Sequence, residues 1–100
     1  VSYEAFLAGH ARIAILRLLH AQPAYEANCA ILSDALYELG INLTRDQVRG
    51  QVEWLAEQGL VTARDVGRDG GDLVVARATQ RGLDCAAGRV AVRGVRRPSP

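Results

Sequence analysis

Thr44-Arg45-Asp46-Gln47-Val48-Arg49-Gly50-Gln51-Val52-Glu53-Trp54-Leu55-Ala56-Glu57-Gln58-Gly59-Leu60-Val61 is the stretch on which the fold turns. Thr44 followed three residues later by Gln47 has the form of a capping box, in which each side chain satisfies a free backbone N–H at a helix start. Val48, Val52 and Leu55 then recur at helical spacing and make a narrow apolar stripe, so one face of this helix is expected in a core. Gly59 supplies the stop, and Leu60-Val61 opens a β-prone run. Arg45, Gln47, Arg49 and Gln51 fall off the stripe.

Working outward toward the C-terminus, residues 60–66 and 73–79 flank the Gly- and Asp-rich connector Gly67-Arg68-Asp69-Gly70-Gly71-Asp72, which predicts a β-hairpin. A last short helix is expected over 80–87 with Thr79 as its cap. Toward the N-terminus, the link Ile41-Asn42-Leu43 is short and could add a third strand. Before it, residues 28–39 read as a helix capped by Asn28 and stopped by Gly40. Residues 3–20 carry Phe6, Leu7, Ile13, Leu16 and Leu19 at three- and four-residue spacing, and this long helix must end ahead of Pro23. The expected core is Ile13, Leu16, Leu32, Leu36, Val48, Val52, Leu55 and Leu60.

One hundred residues, 49% of them apolar, suffice for one core and one domain. No run approaches the roughly 20 apolar residues of a membrane helix, and Val1-Ser2-Tyr3-Glu4 lacks the basic-then-apolar layout of a secretory signal, so a cytoplasmic location is expected. Net charge is +1, but it is unevenly placed. Residues 1–84 hold eight Arg and eleven acids, a net of −3; residues 85–100 hold four Arg and no acid, a net of +4. The division expected is a domain over 1–88 and an extended basic tail over 89–100.

The order of three helices, the last two joined by a very short turn, then a β-hairpin and a short helix, is that of an α+β winged helix-turn-helix domain. Residue matches accompany the order. Ile13-Ala14-Ile15-Leu16-Arg17-Leu18-Leu19 resembles the first-helix segment of ArsR- and MarR-like regulators, the 52–61 stretch resembles their passage from recognition helix into wing, and Ala78-Thr79-Gln80-Arg81-Gly82-Leu83-Asp84 is similar to the segment that starts the helix after the wing. The whole chain also resembles a family of small winged-helix proteins encoded in Mu-like prophages, which implies a phage or prophage origin.

The prophage family implies no known activity, whereas the resemblance to winged helix-turn-helix regulators implies a sequence-specific protein that binds double-stranded DNA, a homodimer and a transcriptional regulator, with its third helix in the major groove. Thr44, Arg45, Gln47, Arg49 and Gln51 are the expected contacts there, since Arg can bind guanine and Gln adenine through paired hydrogen bonds. Arg68 at the wing tip and Arg93, Arg96 and Arg97 in the tail are expected on phosphates or in a minor groove. Asp46 and Glu53 repel phosphate, so a winged-helix module that binds another protein and not DNA is the competing expectation. Trp54, at the edge of the stripe, is expected in core packing or a subunit contact.

Catalysis has no support, because no nucleophile motif or phosphate-binding Gly-rich loop is present. His10 and His20 have no companion ligands at metal-site spacing, and Cys29 and Cys85 belong to no paired motif, so neither a metal, a cofactor nor a disulfide is expected.

Overall fold

A computed structural model describes residues 2–67 and 73–98. It is α+β, with helices α1 (Tyr3–Ala21), α2 (Cys29–Glu38), α3 (Arg45–Glu57) and α4 (Gln80–Ala86), and strands β1 (Glu26–Asn28), β2 (Val61–Asp65) and β3 (Val74–Ala78). The strands form one antiparallel sheet in the order β1-β3-β2, an arrangement compatible with a winged-helix-like fold.

Local chemistry sets the helix boundaries. Ser2, Asn28, Thr44 and Thr79 each accept a hydrogen bond from the backbone N–H three residues on, so every helix start has a side-chain cap. At α3 the capping box is complete: the Gln47 N–H donates to Thr44 Oγ1 at 3.1 Å and the Thr44 N–H donates to Gln47 Oε1 at 2.9 Å. Between α1 and β1 the chain turns through Pro23–Tyr25, where Ala24 and Tyr25 hold positive φ values of 56° and 57°.

The core lies between the helices and one face of the sheet. All eight residues expected inside are buried, and Ile15, Leu19, Ala27, Cys29, Val61, Ala76 and Cys85 join them. No polar or charged residue is buried among the described residues. β2 is buried only at Val61, whereas β3 alternates inward at Val74, Ala76 and Ala78 along its whole length; β3 therefore stays on the core while β2, at the sheet edge, is exposed beyond its first residue. The expected wing tip at Arg68 lies outside the described residues.

Two expectations need correction. Ile41-Asn42-Leu43 is not a strand. The third strand is Glu26–Asn28, which pairs with β3 through Glu26↔Arg77, Ala27↔Ala76 and Asn28↔Val75. Ile41 and Leu43 instead pack on the core as side chains of an irregular link.

The tail is the second correction. It is not helical, as expected, but it is not a free arm either. Val92 is buried, and Val90 and Val95 pack against the same core. The Arg96 N–H donates to the Gly9 carbonyl at 3.2 Å, and Arg12 Nη1 donates to the Gly94 carbonyl at 2.9 Å. Burying three valines outweighs the solvation gained by an open chain, and Gly94, at φ +94°, supplies a turn that other residues resist.

Candidate nucleic-acid interface

α3 exists as a two-faced helix because Val48, Val52 and Leu55 are fully buried against α1, α2 and the start of β2. That leaves Arg45, Asp46, Gly50 and Glu53 exposed on the outside, with Arg49 and Gln51 at the margins. The helix carries two arginines against the three acids Asp46, Glu53 and Glu57, so its surface is not a simple cationic stripe.

The five side chains expected to meet DNA do different things in the structure. Thr44 and Gln47 are occupied by each other in the capping box. Gln51 Oε1 accepts from Arg12 Nε at 2.7 Å, which ties it to α1. Arg49 Nε donates to Glu53 Oε1 at 3.3 Å across one helical turn, a pair at the surface of the helix that contributes little to stability. Arg45 is exposed in the first turn and has no hydrogen bond or ion pair to another described residue. It is therefore the α3 side chain most available to a phosphate or a base edge.

Arg93 is exposed in the turn that precedes Gly94. Arg96 and Arg97 lie elsewhere: with His10, Arg17, Leu39 and Ile41 they line a cavity to which no α3 residue contributes. The structure thus divides the nine expected contacts into an α3 group and a tail group that do not share a surface pocket, with Arg68 outside the described residues.

Arg12 was not singled out by the sequence and proves central. It stacks over Trp54, 3.7 Å from the ring centroid, while bonding Gln51 and the Gly94 carbonyl. Burial lowers its pKa from the ordinary guanidinium value; the group remains charged, since guanidinium ionisation lies so high. A single charge at one edge of an apolar helix was the only sequence signal for it. Cys29 and Cys85 are both buried and form no disulfide with each other, and burial pushes the Cys85 thiol up, with Arg81 opposing. Among the described residues no group of three or more His, Cys, Asp or Glu could hold a metal ion, and no helix is long and apolar enough to cross a membrane.

A small α+β protein with these features has relatives among phage proteins. The chain is 49% identical over 75 residues to gp26, an uncharacterised protein of Escherichia phage Mu, a match covering 75% of this chain and 74% of gp26. It is 37% identical over 86 residues to an uncharacterised protein of Haemophilus influenzae, covering 86% of this chain and 80% of that one. The chain belongs to the family of phage Mu gp26. No protein-family profile matches it, and no solved structure does.

Proposed function

We propose that this chain is a winged helix-turn-helix protein that binds double-stranded DNA, with α3 in the major groove, and that it acts as a phage or prophage transcriptional regulator. The observation that carries the reading is the placement of α3. Its inward face is locked by Val48, Val52 and Leu55, its first turn offers Arg45, which has no ion pair to another described residue, Arg49 follows one turn later, and the edge strand β2, exposed beyond Val61, follows its C-terminal end. A helix fits the major groove, and a flanking hairpin can reach the neighbouring backbone. The exposed Tyr3, Phe6 and Leu7 at the start of α1 suit a homodimer contact, which would present two such helices to successive grooves.

Fluorescence anisotropy with a labelled random-sequence duplex of 30 base pairs tests this. Micromolar binding at 50 mM salt that weakens steeply by 200 mM is the expected result. Absence of binding at tens of micromolar protein in 50 mM salt overturns it.

The second reading is a winged-helix module that engages a protein and not DNA. It is favoured by α2, where Ile31, Tyr37 and the following Leu39 are all more than half exposed. Large apolar side chains exposed along one helix and its C-cap are candidates for cover by a protein partner.

A further inference from the structure

The cavity between α1, the end of α2 and the C-terminal segment, about 480 Å³, has a composition that a solvated groove does not need. Its floor is apolar, formed by Ile13, Ala14 and Leu18 of α1 with Leu39 and Ile41 opposite. Three arginines, Arg17, Arg96 and Arg97, also line the cavity, and no carboxylate of a described residue does. None of the three arginines makes a salt bridge or side-chain hydrogen bond to another described residue. His10 lines the same wall, and its Nε2 is buried with no hydrogen-bond partner among the described residues.

Three arginines without an acidic partner among the described residues line one apolar depression, and an anion that enters offsets their like charge. The volume is in the range of small-molecule sites. The Arg96 N–H bond to the Gly9 carbonyl holds the C-terminal segment against α1, which puts Arg96, Arg97 and Pro98 on the same cavity as Arg17.

We propose that this cavity binds a small organic anion with a flat or compact apolar body, a carboxylate or sulfonate. The apolar body rests on Ile13, Leu18 and Ile41 while the charge meets Arg17, Arg96 and Arg97, the last two through the planar donor fork that suits carboxylate and sulfonate oxygens. This site is independent of the α3 surface, and its test does not depend on DNA binding.

Calorimetric titration of the whole chain with 2-naphthalenesulfonate, and separately with its uncharged counterpart 2-naphthol, reads the proposal directly. One saturable site for the sulfonate is expected, at about 0.1–1 mM, the range for a ligand of that size, with binding by 2-naphthol at least about tenfold weaker. Arg17→Gln combined with Arg97→Gln should weaken the sulfonate about tenfold or more, whereas Arg81→Gln on the exposed side of α4 should not change it. Both arginines of the double variant are exposed, so its thermal melt should match the parent. NMR shifts induced by the sulfonate should centre on Leu18, Leu39 and Ile41. Equal affinity for the neutral compound, insensitivity to the double substitution, or shifts centred on Tyr3 to Leu7 would each overturn the site.

Discussion

The Arg12 guanidinium lies over the Trp54 ring at 3.7 Å, and the edge of the same indole faces Gly94, where an added Cβ would come within 2.8 Å of Trp54 Cζ2. One cation thus joins three parts of the chain: α1 through its own backbone, α3 through Trp54 and Gln51, and the C-terminal segment through the Gly94 carbonyl. The tail is held by a designed contact of this kind as well as by its valines.

Gly94→Ala should therefore loosen the tail. The substitution meets both a left-handed backbone at φ +94° and a collision with the indole, costs of about 1–2 and 1–3 kcal/mol respectively. A loss of about 2–5 kcal/mol in denaturant unfolding is expected, with faster hydrogen exchange at Val95 and Arg96. A melt unchanged from the parent would show that the tail does not rest on Trp54. Arg12→Ala should cost less, about 1–2 kcal/mol, from the cation–π contact and its hydrogen bonds.

Gly82→Ala should be damaging too, here through a collision with backbone. A Cβ at position 82 would run into the Leu60 carbonyl, a backbone group already receiving the Thr79 N–H at 3.0 Å and the Thr79 hydroxyl at 3.1 Å. Since Leu60 is fully buried at the entry to β2, α4 must lift for the methyl to fit. Overpacking of this type costs about 1–3 kcal/mol and sometimes more. Thermal unfolding should fall by many degrees while Gly50→Ala, which meets nothing within 4 Å, leaves it level or higher.

Much of this was legible because it is local. The capping box at Thr44, the cap at Asn28, the stops at Gly40 and Gly59 and the stripe Val48-Val52-Leu55 depend on near neighbours alone. β1 was not legible: Glu26-Ala27-Asn28 has no β-branched residue, and it is a strand only because β3 offers it an edge. Nor was the tail, whose arginines suggested solvent while its three valines found the core. At the candidate interface, the residue types of α3 could be read but not their commitments. Gln47, though exposed, bends back to cap the Thr44 N–H, and Gln51 is taken by an arginine 39 residues away.

Those commitments give a contrast between two α3 side chains. Arg45→Ala should weaken binding to a DNA duplex and, where Arg45 touches a phosphate, lower the slope of log affinity against log salt by about 1, with no loss of stability. Gln51→Ala should do the reverse, removing the 2.7 Å bond to Arg12 and costing about 1–2 kcal/mol. Equal affinities and slopes for the parent and Arg45→Ala proteins would remove Arg45 from the interface.

The buried Cys85 thiol predicts how stability depends on pH. Desolvation raises its pKa in the native state, with Arg81 pulling the other way. Below the ordinary thiol pKa of about 8.5 both folded and unfolded chains keep the proton, so this group adds no pH dependence. As pH rises past that value the unfolded chain releases the proton while the native chain holds it; the unfolded state then binds fewer protons, and stability falls with pH. The loss grows until the native thiol itself ionises, at a slope of at most about 1.4 kcal/mol per pH unit. Urea titrations of the reduced protein between pH 7.5 and 9.5 should show this decline, and Cys85→Ala should flatten it while lowering stability at pH 7.5 through lost packing. The same decline in both proteins would mean that Cys85 reaches solvent in the native state and that α4 opens at its C-terminal turn.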